Sequence, residues 1–179
     1  MKKQEITVAA LIDGPTFSEY AIFDVMRRQR RYLRPLLFAI FFAALSALAF
    51  SRRGTIEQAG LLGGVLLGVG LFLPLVYVVS FLFSVRRQSR ALNPKKAAYT
   101  LELRESGLTV KKGEQTIQAP WKDLYAAYRL KQSICLYVDA QHSFLLPRSS
   151  GEEKFEAAWS MVDRCMESGK RRVYSRKDK

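Results

Sequence analysis

Residues 33–50 read LRPLLFAIFFAALSALAF, and residues 58–85 read QAGLLGGVLLGVGLFLPLVYVVSFLFSV, with no charged residue in the second run. As a helix the second run reaches about 42 Å, more than the ~30 Å of bilayer hydrocarbon, so it can cross with tilt. The first is tighter. Its uninterrupted apolar part, residues 36–50, covers about 22 Å, and it spans if Arg34 and Arg52 extend along their alkyl stems to the headgroups. The two runs therefore predict a transmembrane helical hairpin, residues 33–85, with spans at 33–50 and 60–85. Ala47-Leu48-Ala49 has the form of a signal-peptidase site. The 32 residues before the run are long for a signal n-region and carry four acids, which favours an uncleaved span.

Charge supports this architecture. The chain has 179 residues and a net charge of +13, and the excess sits beside the spans and at the end. Arg27, Arg28, Arg30, Arg31 and Arg34 precede the hairpin, and Arg86, Arg87, Arg90, Lys95 and Lys96 follow it. Residues 98–169 carry nine basic and ten acidic residues. A nucleic-acid-binding domain should own a basic face, so no nucleic-acid partner is expected. Arg52 and Arg53 in the turn count against five basic residues on either flank. The positive-inside rule then places both termini in the cytoplasm. The ten flanking basic residues are expected to contact anionic phospholipid headgroups, or only to fix topology.

Within the spans, small residues recur every fourth position. Ala39, Ala43 and Ala47 line one face, and Gly60, Gly64 and Gly68 another. Such faces let helix backbones approach in lipid, which predicts an intramolecular seam of these six residues. A homodimer through the glycines is the alternative. Pro74 should kink the second helix. Neither span has an ionisable residue in its middle, which speaks against a pore or proton relay within them.

Outside the hairpin, residues 1–32 are expected to form a strand at Ile6–Ile12 and a helix opened by a Thr16-x-x-Glu19 capping box, running through the arginines toward Pro35. From Tyr99 apolar residues alternate, predicting short antiparallel strands to Leu146, broken at Trp121 by a turn or short helix. Phe155, Ala158, Trp159, Val162, Cys165 and Met166 then form one helical stripe, with Ser149 or Ser150 as cap and Ser168-Gly169 as stop. Six strands, a seventh from Ile6, and a closing helix predict an α+β domain over 98–169. Its expected form is a bent antiparallel sheet of six to seven strands, pleckstrin-homology (PH)-like, with a C-terminal helix. The tail 170–179 is basic and expected to be disordered.

Tyr99-x-Leu101 before Ser106-Gly107-Leu108, Trp121-x-x-Leu124, and Leu146-Pro147-Arg148 stand in this order behind the hairpin. With these landmarks the chain resembles the YcxB-like family of small bacterial membrane proteins over nearly its full length. The resemblance implies a PH-like domain at the cytoplasmic face of the bacterial inner membrane and carries no activity. Trp121 also reads as a packing residue, and Arg148 as a partner for acids of the last helix.

No catalytic, cofactor or metal site is expected. His142 is the only histidine, and it falls in a predicted turn. Cys135 and Cys165 lack zinc-ligand spacing and are expected to be buried, reduced thiols. The sequence thus predicts a non-enzymatic membrane protein that presents an interaction domain to a membrane or cytoplasmic protein. Lipid or envelope sensing by the basic belts is the alternative.

Overall fold

The computed structural model describes residues 5–52, 54, 58–93 and 97–174. It forms two compact units. One gathers the flanks of the chain, Met1–Tyr20 with Gln88–Lys179, and the other is Ala21–Arg87.

In the first unit, β1 (Ile6–Ala9), β2 (Thr100–Arg104), β3 (Gly107–Lys112) and β4 (Gln115–Pro120) form one antiparallel sheet in that order. The period-two pattern becomes two cross-strand rows. Ile6, Leu103, Leu108 and Ala119 are partners and all buried, and Val8, Leu101 and Val110 are buried partners in a row that ends at exposed Ile117. On the opposite face Glu102 bonds Lys111 and Arg104, and Arg104 also pairs with Glu5 at 2.7 Å. The Lys111 bond holds the Glu102 carboxyl below its usual range, helped by the charges of Lys111 and Arg104. Gly107 turns β2 into β3 with φ +153°, and a Cβ there would lie 2.4 Å from the Ala119 carbonyl oxygen. Only glycine fits so close an approach.

The second sheet runs β7 (Ser143–Pro147), β6 (Ser133–Tyr137), β5 (Ala126–Arg129), β8 (Arg171–Val173). All neighbours are antiparallel except β5 and β8, which are parallel. Helix α4 (Glu152–Cys165) buries Phe155, Ala158, Trp159, Met161 and Val162 in one core shared with both sheets. Tyr99 joins the sheets. Its hydroxyl accepts from the Leu145 N–H at 2.7 Å and lies 3.1 Å from the Leu145 carbonyl, to which it donates. Burial pushes this phenol well above its ordinary pKa of 10.0.

Several expectations are corrected. Among the described residues, eight strands in two sheets of four, one of them mixed, replace the PH-like bent sheet of six to seven strands. The helix-plus-sheet class holds. The N-terminal strand is not part of a separate segment 1–32. It pairs with β2 across the whole hairpin insertion, because Ile6 and Val8 complete apolar rows that β2 and β3 leave open. The tail is not wholly unstructured: β8 pairs with β5, and Arg171 binds Asp163 at 3.0 Å. Two arginines and one valine make too short a run to signal a strand on their own; pairing with β5 imposes it. Residues 175–179 lie outside the described residues.

Helix α1 (Gly14–Ile22) starts before the expected capping box. Asp13 accepts from the Thr16 N–H at 2.9 Å, while Glu19 reaches away to the Lys131 and Gln132 amides at 3.1 and 2.7 Å. Nor do Ser149 and Ser150 cap α4. Gly151 holds the cap position, and the serine hydroxyls donate to the Leu11 and Ala9 carbonyls.

The second unit opens on a π-helical turn, Phe23–Arg28, and Arg30 takes φ +49°, so no continuous helix runs to Pro35. Helices α2 (Leu33–Ser51) and α3 (Ala59–Ala91) follow, the latter containing Pro74. They reach about 28 Å and about 50 Å respectively. Only 6% of each apolar window is buried, unlike the core helix of a soluble domain. Leu61 is 75% exposed and Phe83 68%. Such apolar faces mark membrane association.

Candidate functional site

The site is built from the hairpin, starting at its seam. Alternating steps of three and four residues keep one side of a helix facing its neighbour over several turns, whereas steps of four drift around the axis. The covered positions obey the first rule: Ala39, Phe42, Ser46 and Ala49 on α2, and Ala59, Gly63, Leu66 and Gly70 on α3. The Ser46 hydroxyl donates to the Gly63 carbonyl at 2.7 Å, satisfying a polar group that lipid could not. A Cβ on Gly70 would lie 2.6 Å from the Phe42 Cβ, and one on Gly63 3.1 Å from the Phe50 ring. Of the expected seam, Ala39 lies on the covered face, and the stripe as a whole does not. Gly64 and Gly68 face open space, Ala43 and Ala47 are exposed, and Ala39 and Gly60 are half-buried. The signal that locates the true seam is Ser46, a polar residue inside an apolar run.

Past Gly70 the seam gives way to a cavity of about 510 Å³ lined by Arg31, Arg34, Pro35, Phe38, Leu73, Pro74 and Tyr77. Pro35 starts α2 where a missing N–H costs nothing, and Pro74 interrupts the α3 ladder beside it. Phe38 leans on Phe42, ring centroids 4.4 Å apart. The Arg31, Arg34 and Tyr77 side chains have no hydrogen-bond or ion-pair partner among the described residues. The mouth is cationic and the wall apolar. Of these residues only Arg31 and Arg34 belong to the expected headgroup contacts.

The π-turn just before it has a structural task. Buried Asp24 accepts from Arg28 Nε and from Gln29 Nε2, both at 2.5 Å. The wider π winding brings residues four and five positions on to one carboxylate. Arg28 is therefore an internal ion-pair partner. Arg27, Arg30, Arg86, Arg87 and Arg90 are exposed. Lys95 and Lys96 lie outside the described residues.

In the other unit the landmark residues are structural. Trp121 sits in a 3-10 turn, is 4% exposed, and donates its indole N–H to the Arg104 carbonyl at 2.8 Å. Leu124 is fully buried, Pro147 closes β7 opposite Ser133, and Trp159 is in the core. Arg148 pairs with Glu152 and Glu156 of α4, donates to the Lys131 carbonyl, and lies 4.8 Å from the Phe155 ring centre. Cys135 is buried and Cys165 partly so, and neither is in a disulfide among the described residues. His142 lies in a turn with Asp139, whose carboxylate accepts the Gln141 and His142 amides and contacts the imidazole at 2.7 Å. Those amide bonds, with the imidazole, bring the Asp139 pKa down to about 2. Among the described residues no group of three or more His, Cys, Asp or Glu could hold a metal. Strand β4 is a sheet edge bonded only to β3, with Gln115, Thr116, Ile117 and Gln118 exposed.

Comparison of the chain with protein-family models, with curated proteins and with solved structures gives no match.

Proposed function

We propose that the chain is a non-enzymatic inner-membrane protein that holds a β-rich interaction module at the cytoplasmic face, where it binds a protein partner. The observation that carries this reading is the β1–β2 pairing. One strand precedes the hairpin and its partner follows it, so the chain must return to the side it left. Two crossings do that, and the arginines on both flanks favour the cytoplasmic side. A partner segment has a ready edge in β4, where an extended peptide could add as a further strand with Ile117 beneath it. Resemblance to the YcxB-like family, through Tyr99, Leu101, Trp121, Leu124 and Leu146-Pro147-Arg148, belongs to the same reading.

The test is thiol labelling at Lys112→Cys in intact and opened cells, followed by affinity purification of wild type and of Ile117→Pro. Labelling only in opened cells, and a co-purifying protein lost in the proline variant, are expected. Labelling from outside would overturn the topology.

A second reading, anionic-lipid sensing, is favoured by the exposed Arg30, Arg31, Arg34, Arg86 and Arg87.

A further inference from the structure

We infer that the cavity between α2 and α3 is a site for one anionic phospholipid, its phosphodiester held by Arg31, Arg34 and Tyr77 and its acyl chains lying against Phe38 and Leu73. This rests on the lipid reading and sharpens it from a diffuse belt to a single pocket.

Three features of one cavity identify the occupant. First, the charge: the two guanidinium groups lining it have no carboxylate partner among the described residues, whereas Arg28, three residues before Arg31, is paired with Asp24. A guanidinium fork matches the paired oxygens of a phosphodiester. Second, the third polar group is the Tyr77 phenol, without a partner among the described residues, which can donate to a phosphate or glycerol ester oxygen. Third, the remaining wall is Pro35, Phe38, Leu73 and Pro74, and it leads to helix faces that are apolar and open: Leu37, Phe41, Phe72 and Val76 are all exposed. A free phosphate or a nucleotide would leave that wall wet. A fatty acyl chain would not. The volume of about 510 Å³ takes a headgroup and the first segments of its chains, with the rest running along the helices in the leaflet.

The position suits the chemistry. Arg34 and Pro35 lie in the first turn of α2, so the cationic lining falls at the start of that apolar helix, where a phosphate would sit. Tyr77 is an aromatic with a polar tip, the side chain that favours this layer.

The full chain, delipidated in a neutral detergent, is incubated with equimolar phosphatidylglycerol and phosphatidylcholine, and bound lipid is counted by native mass spectrometry. Wild type is expected to retain phosphatidylglycerol over phosphatidylcholine by about tenfold. R31Q/R34Q should bring the two lipids to near parity. Leu73→Trp, which fills the cavity without touching charge, should lower retention of both, and Tyr77→Phe should weaken retention by about threefold while leaving packing intact. R86Q/R87Q removes equal charge outside the cavity. It should weaken binding to phosphatidylglycerol vesicles while the micellar selectivity survives.

Equal retention of both lipids by wild type overturns the pocket, as does loss of selectivity in R86Q/R87Q to the same extent as in R31Q/R34Q. Displacement of the lipid by inorganic phosphate would identify a free-anion site and overturn it too. If Leu73→Trp does not fold, unchanged retention in Tyr77→Phe and in each single arginine variant overturns it alone. Salt-sensitive vesicle binding that persists beside any of these failures leaves the belt reading standing.

Discussion

At the scale of single residues, two side chains stitch the β-rich unit at its weak points. Tyr99 offers one hydroxyl to both backbone groups of Leu145, on a strand at the edge of its sheet. Tyr99→Phe keeps the ring and strands both groups, so it should cost about 1–3 kcal/mol. Urea unfolding followed by tryptophan fluorescence checks this, because the two tryptophans, Trp121 and Trp159, both lie in this unit. Asp139 orders a surface turn in a pH-dependent way. Its folded pKa, about 2, lies below the ordinary 3.8, so its contribution is complete above 3.8 and is lost as pH falls through about 2. The Gln141 and His142 amide resonances should titrate together near that lower value, and Asp139→Asn should abolish the transition. What was legible at this scale is side-chain chemistry: Arg148 finds acids of the last helix, and Trp121 packs. What was not legible is the choice among partners. Glu19 forgoes a local bond and accepts instead from two distant amides, Lys131 and Gln132 in the β5–β6 turn.

At the scale of elements, periodicity read in one dimension was sound, and rotation about the helix axis was not. Both spans and the strand segments follow from apolar patterning, since β2, β3, β4, β6 and β7 lie close to where alternation puts them. The seam was misjudged by treating small residues as sufficient. Packing selects Gly63 and Gly70 because Phe50 and Phe42 need their space. Gly70→Ala should therefore destabilise the hairpin by about 1–3 kcal/mol through the clash with Phe42. Gly64→Ala, facing open space, should be neutral or slightly stabilising, as alanine is the better helix former by about 1 kcal/mol. Thermal unfolding of both variants in the same detergent, monitored by far-ultraviolet circular dichroism, separates the outcomes. Equal shifts would return the seam to the four-residue stripe.

At the scale of the molecule, the soluble-looking part of the chain is discontinuous, and this no local pattern could disclose. A domain drawn at 98–169 omits Ile6 and Val8, which fill the inner rows, and β8, which covers β5. A fragment of residues 98–174 should consequently fail to fold, whereas the same fragment joined through a flexible linker to residues 5–20 should fold. Tryptophan emission and amide-proton dispersion distinguish the two. A well-dispersed spectrum from 98–174 alone would show that the N-terminal strand is an accessory.

The same interleaving sets an order of events during synthesis. The Glu5–Arg104 pair closes across 99 positions of chain. At ~5–20 residues per second a ribosome needs about 5–20 s to make that stretch. Throughout that interval the nascent N-terminal strand has no mate. Both apolar helices leave the exit tunnel before the mate does, while the body is still unfolded. The sheet can zip only after the second span has emerged, which makes its closure a built-in signal that the loop between its first two strands is fully synthesised.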